Sequence, residues 1–248
     1  MPKFFYGILF AIIAIVVVFV FTKPSPENPD TTEELLSEIT TENTPDIPYP
    51  TIVLDAGHGG IDPGKVGINN ALEKDINLSI VKKLQALLEE EGFPVYLTRE
   101  TDQLLAPLNS SSQKKDDMIA RIEMITDINP FFTISIHQNS FTDPSVSGPQ
   151  VFYYKDSEAS ATMAHVLQDA LNLQLNPAKH RAPQTNQNYY LLTRTPTPTV
   201  IVECGFLSNP SEADLLAQET YQEKVAHAIF LGILSYYEST TSNQTLSE

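Results

Sequence analysis

The sequence predicts an α/β domain: a single twisted sheet of about six strands, mostly parallel or mixed, with helices on both faces, preceded by an N-terminal transmembrane helix. Three observations lead there. From Thr51 onward, short apolar runs of strand length alternate with segments whose apolar residues recur every three or four positions. No internal repeat is visible, and nothing resembles a wall-binding repeat module. Ahead of this pattern, Phe4 to Phe21 is unbroken and apolar, roughly 18 residues, just long enough to span a hydrocarbon core.

The N-terminal run ends on the bulky residues Val16-Val17-Val18-Phe19-Val20-Phe21, followed at once by Thr22-Lys23-Pro24. The small-residue site that a cleaved signal peptide needs is missing, so residues 1–22 read as an uncleaved anchor. Lys3 and the α-amino group flank one end, and an acidic stretch follows Lys23 at the other. That asymmetry places the bulk of the chain outside the cytoplasm, as a single-pass protein of the cell membrane. Residues 23–50 are rich in Pro, Glu, Thr and Ser without apolar periodicity, the composition of an extended, self-repelling tether.

The folded domain is expected over 51–240, with a flexible tail at 241–248. A strand at 51–55 opens into glycines. A helix over 74–91 sets Ile76, Ile80, Leu84, Leu87 and Leu88 on one face, and Gly92 stops it. Val95 to Thr98 reads as the second strand. Asp116 to Ile128 reads as a helix with Met118, Ile119, Ile122 and Ile125 inward. Strands at 131–137 and 150–154 follow, then a helix at 157–173. Strands near 189–193 and at 199–203 precede a last helix at 219–237. The formal net charge of −16 excludes nucleic acid as a partner, which demands a basic face, and disfavours docking on anionic lipid beyond the anchor. Cys204 is the only cysteine, so no internal disulfide forms.

Chemistry gathers at the strand ends. His58 lies in the loop Gly57-His58-Gly59-Gly60 after the first strand, His137 closes Phe131 to Ile136, and Glu203 closes Thr199 to Val202. Ligands of open α/β sheets bind where strands end and loops diverge, so these three share one rim. Glu73 stands at the start of the first helix, where it also fits a simple favourable charge on the helix terminus. Two imidazoles and one carboxylate on Zn²⁺ leave a position open for water, and a second, non-ligating carboxylate can take that water's proton. Glu203 is hard to explain otherwise, because a carboxylate at the end of a buried strand is costly without a charged partner. Its rival Cys204 is the next residue, and strand alternation lets only one of the two reach the rim; Glu203 is preferred and Cys204 is read as a small buried apolar residue. His165 and His227 fall within helices and His180 in a polar loop. Asp62-Pro63-Gly64 reads as a turn, and Asp55 as an acceptor that orients an imidazole.

Four blocks carry a family resemblance: Leu54 to Gly60, Leu72 to Leu78, Ser135 to Asn139, and Val202 to Asn209. In this order they resemble the signature blocks of the zinc-dependent N-acetylmuramoyl-L-alanine amidases, from Thr51 to about Tyr237. One departure is Ala56, where the family often has proline; this affects loop stiffness more than ligation. The resemblance implies that His58, Glu73 and His137 hold Zn²⁺ and that Glu203 is the catalytic carboxylate. It implies peptidoglycan as substrate, cut at the amide between the lactyl group of N-acetylmuramic acid and L-alanine of the stem peptide. Arg194 is a second catalytic candidate, binding a stem carboxylate or the developing oxyanion, with a solvated surface arginine as the alternative. The segment 101–117 is too short for the helical plug that closes some of these amidases, so regulation is expected from an activating protein partner or from location. The anchor and the Phe206-Leu207-Ser208-Asn209-Pro210 pattern are similar to the membrane-anchored amidases of spore-cortex maturation. The competing readings are a catalytically silent wall-binding scaffold and a metallopeptidase cutting within stem peptides.

Overall fold

Six strands form one sheet: β1 (Ile52–Ala56), β2 (Val95–Leu97), β3 (Phe132–Asn139), β4 (Gln150–Tyr153), β5 (Gln184–Thr185) and β6 (Thr199–Phe206). Their order is β2-β1-β3-β6-β4-β5. β1 pairs in parallel with β2 and β3, and β3 with β6, while β4 runs antiparallel to β6 and carries β5 in parallel. The sheet is therefore mixed, as the sequence allowed. The computed structural model describes residues 49–107 and 109–245. The anchor expected at 1–22 and nearly all of the tether expected at 23–50 lie outside them. Among the described residues no helix is long and apolar enough to cross a membrane.

Alternation along the central strands sorts two faces. Ile52, Leu54 and Ala56 of β1, Phe132, Ile134 and Ile136 of β3, and Val200, Val202 and Cys204 of β6 enter the larger core. That core is roofed by α1 (Glu73–Glu91), α3 (Glu158–Leu175) and α6 (Glu219–Thr245). Fully burying each such side chain contributes about 1.5–3 kcal/mol. The opposite face carries Val53, Phe152 and Ile201 under α2 (Gln113–Ile128) and the one-turn α4 (Tyr190–Arg194). On this second face the residues nearer the carboxyl ends are polar or ionisable: Asp55, Ser135, His137 and Glu203. The short cover of α4 leaves the rim open there.

Three expectations change. Residues 189–193 are not a strand: Tyr189 caps α4, whose turn is closed by the Thr193 amide donating to the Tyr189 carbonyl and the Thr195 amide donating to the Leu191 carbonyl. The tail expected at 241–248 is helical as far as Thr245. No glycine or proline follows Gly232 in α6, and the Ser239, Thr240 and Thr241 hydroxyls donate back to carbonyls of the preceding turn. A further helix, α5 (Pro210–Leu216), follows β6. Asn209 caps it by accepting from the Glu212 amide, and Pro210 holds its first turn.

Candidate metal centre

Side chains far apart in sequence meet at the open rim. His58 stands two residues past β1 with φ +63°, a left-handed conformation that a non-glycine residue keeps only where its surroundings impose it. The surroundings do so. Arg121 Nη2 donates to the His58 carbonyl at 2.7 Å, and Arg99 Nη2 and Asn77 Nδ2 donate to the Gly57 carbonyl at 3.2 and 3.0 Å. The Asp62 carboxylate lies 2.8 Å from His58 Nδ1, which fixes the ring and turns Nε2 toward Glu73 Oε1 at 3.3 Å.

Glu73 opens α1 and is buried. Its Oε2 accepts from the Lys65 amide at 2.6 Å, and its Oε1 accepts from the Gln138 amide at 3.0 Å. His137 Nδ1 lies 3.0 Å from the same Oε1. The cradle demands Gly57: a Cβ built there would stand 2.2 Å from the His137 ring. One donor atom from each of His58, Glu73 and His137 lies within 4.8 Å of the others. Tetrahedral donors bonded at about 2.0–2.1 Å stand roughly 3.3 Å apart, so the two pair distances of 3.3 and 3.0 Å suit a common small cation. The donor set of two imidazoles and one carboxylate is that of a catalytic zinc site. The residues fit the ion.

Glu203 lies beside this triad, in register with His137 on the neighbouring strand. It is 7 % exposed, and its Oε2 has no hydrogen-bond partner among the described residues. Burial pushes its carboxyl up to about 7; the nearby Glu73 adds to that rise, while His137 and His58 oppose it. Glu73 behaves in the opposite way. Burial disfavours its charge, but His137 and His58 outweigh burial and hold it well below the usual carboxylate range. His58 is likewise opposed by burial, yet Glu73 and Asp62 raise it to about 9. Two carboxylates in one site with pKa values pushed apart divide naturally into a fixed anion and a proton carrier.

Alternation along β6 places Glu203 in the cleft lining and Cys204 on the opposite face. Cys204 faces the larger core, and burial pushes its thiol up. His165, His180 and His227 are exposed and away from the site. Asp55 does not orient an imidazole. It pairs with Arg121 and accepts from Thr98 and Ser135, and these partners overcome burial to hold it at about 2. Asp62 does that work, from the turn closed by reciprocal Gly59–Asp62 hydrogen bonds. Arg194 ends α4, exposed, with its guanidinium 5.4 Å from the centre of the Tyr190 ring, and is not among the residues lining the cleft.

Sequence reasoning missed Arg99 and Arg121, whose guanidinium groups grip the carbonyls of Ala56, Gly57 and His58. It also missed the Tyr189–Tyr190 wall of the cleft. Tyr189 is raised to about 12 by burial and by the Glu203 and Glu73 carboxylates. The cleft measures about 350 Å³ and is lined by all four acid and imidazole groups together with these tyrosines.

Known proteins resemble this chain in sequence and fold. The family profile described as N-acetylmuramoyl-L-alanine amidase (Amidase_3) matches residues 52–235. The germination-specific N-acetylmuramoyl-L-alanine amidase of Bacillus subtilis is 39 % identical over 189 residues, covering 75 % of this chain and 79 % of its own. The CwlD amidase from Clostridioides difficile, solved in complex with the GerS lipoprotein, superposes with a TM-score of 0.74 at 41 % identity, covering 77 % of this chain and all of that one. The amidase AmiC2 of Nostoc punctiforme gives 0.67 at 31 % identity, covering 76 % and 97 %. With its profile spanning the sheet, its helices and all four converging side chains, the chain belongs to the N-acetylmuramoyl-L-alanine amidase family.

Proposed function

We propose that this amidase works with Zn²⁺ held by His58 Nε2, Glu73 Oε1 and His137 Nδ1, with Glu203 as its proton carrier. The observation behind this reading is the buried Glu203 Oε2, without a hydrogen-bond partner among the described residues, beside three converging donors. When bound, zinc supplies Lewis acidity toward water and the amide carbonyl. Asp62 holds the His58 ring, and the Lys65 and Gln138 amides hold the two oxygens of Glu73. Glu203 Oε2 accepts the proton of the attacking water and delivers it to the departing L-alanine nitrogen as the lactyl–alanine bond breaks. Tyr189 and Tyr190 line one side of the cleft.

The proposal extends to place and partner. Residues 1–22 anchor the chain, residues 23–50 tether it, and the catalytic domain acts on peptidoglycan outside the membrane. The relatives named for germination and for a lipoprotein complex favour a role in the spore wall with an activating protein partner.

The test is mass spectrometry of peptidoglycan digested with the full chain and zinc. An amidase releases stem peptides with a free L-alanine amine and leaves a lactyl carboxylate on the sugar; chelator stops it and added zinc restores it. Cuts inside the stem would identify a metallopeptidase, and retention on the wall without product a silent scaffold.

A pH dependence of stability accompanies this assignment. A carboxyl raised from 4.5 to about 7 in the folded chain stabilises it fully below the unfolded value, and that contribution is lost as pH rises through about 7. The metal-free chain is expected to lose roughly 3 kcal/mol from this group over that window. Denaturant unfolding of the native chain and of Glu203→Gln across pH 4 to 8 isolates it, since the variant lacks the titration.

A further inference from the structure

The substrate brings its own anions to an acidic protein. In the stem peptide, the D-glutamate after L-alanine is joined through its side-chain carboxyl, so its α-carboxylate stands free one residue from the scissile amide. The chain has a formal net charge of −16, and the cleft itself holds Glu73 and Glu203. A carboxylate entering there needs a cation that is not already engaged.

Most basic residues around the site are engaged, and Lys115, exposed beside Met118 and Tyr190, lies outside the cleft lining. Lys74 pairs with Asp102 at 2.6 Å, Lys114 with Asp62 at 2.6 Å, and Arg121 with Asp55 and Asp117. Arg99 is buried and committed to backbone carbonyls. Arg194 rests on Tyr190 outside the cleft lining. Lys65 is different. Among the described residues it is the one lysine or arginine lining the cleft, it is exposed, and its ammonium has no ion-pair or hydrogen-bond partner among them.

Its backbone is fixed to the metal-binding triad. The Lys65 amide donates to Glu73 Oε2 at 2.6 Å, and the Glu73 amide donates to the Lys65 carbonyl at 3.0 Å. This two-way pairing holds the lysine Cα beside the reacting centre, while its flexible four-carbon stem lets the ammonium follow a mobile peptide.

We propose that Lys65 is the specificity-determining residue for the stem peptide, binding the free α-carboxylate next to L-alanine and so favouring acidic stems over amidated ones. The inference rests on the amidase reading above. An ion pair of this exposure is worth up to about 1 kcal/mol, roughly fivefold in kcat/KM.

The experiment compares two synthetic muramoyl peptides that differ only in that α-carboxylate, free in one and a carboxamide in the other, using the zinc-loaded full chain. The native chain is expected to favour the free acid about fivefold, through KM, and the preference is expected to shrink in high salt. Lys65→Met should erase the preference by losing rate on the acid alone, and Lys65→Glu should invert it. Both variants change an exposed side chain, and equal zinc content in all three proteins verifies that the site is intact. The proposal is overturned if the native chain shows no preference, if Lys65→Met keeps it, or if Lys65→Met slows both substrates equally. Cleavage of neither substrate by the native chain would overturn the amidase reading itself, and this inference with it.

Discussion

Glu203→Gln is expected to lower kcat on peptidoglycan by about 10²–10⁴ while leaving zinc binding intact. Glutamine keeps the shape of the side chain and its place on β6 in register with His137, so the metal ligands are undisturbed. It removes only the ability to take and return a proton. Burial already favours the neutral form of Glu203, so a neutral amide should not cost fold stability at neutral pH. The combination of lost rate, retained zinc and unchanged or higher melting temperature is specific to a proton carrier. It is checked by steady-state release of L-alanine-terminated stems, metal analysis and a thermal melt on the same preparation. A rate within a few-fold of the native chain would place the base on another residue.

Arg121→Met is expected to have the largest effect on the fold, a loss of about 3–5 kcal/mol. Arg121 is 1 % exposed and lies between Asp55 and Asp117; without it, two buried carboxylates remain without their cation. The same guanidinium donates to the Ala56 and His58 carbonyls, so its loss also frees His58 from the left-handed conformation that aims its ring. Zinc affinity should therefore fall with stability. Urea unfolding of the metal-free chain measures the first effect, and chelator competition on the folded fraction measures the second. Adding Asp55→Asn to Arg121→Met should recover part of the lost stability, because one of the stranded charges is then gone. A single variant as stable as the native chain would contradict this account of the network.

Much of this was legible in the sequence, for definite reasons. The strands β1, β3 and β6 are buried on both faces, and such strands announce themselves as continuous apolar runs. His58, His137 and Glu203 were findable because each ends or follows such a run. The choice of Glu203 over Cys204 needed only the alternation of side chains along a strand. Most of what stayed hidden lacked local signals. β5 is two exposed polar residues, paired to the sheet through the backbone alone. Tyr189 to Thr193 has strand-like composition, and the amide-to-carbonyl bonds that close its helical turn leave no mark in that composition. Arg121 lies 63 residues from the His58 carbonyl it binds, a distance across which periodicity says nothing. Asp62 was visible as a turn, but its second role depends on the Gly59–Asp62 pairing that brings its carboxylate back to His58. The helix α5 was missed although its signals are local: Asn209, Pro210 and Glu212 form a cap, a first-turn proline and an acidic first turn.

The central claim is that side chains dispersed along the chain hold one cation with a place left open for chemistry. X-ray absorption at the zinc edge of the zinc-loaded full chain tests it most directly. The account predicts one zinc per chain, with nitrogen and oxygen neighbours at about 2.0–2.2 Å, no sulfur, and loss of the signal in His137→Ala. A zinc–sulfur distance near 2.3 Å, or a spectrum unchanged by His137→Ala, would contradict it.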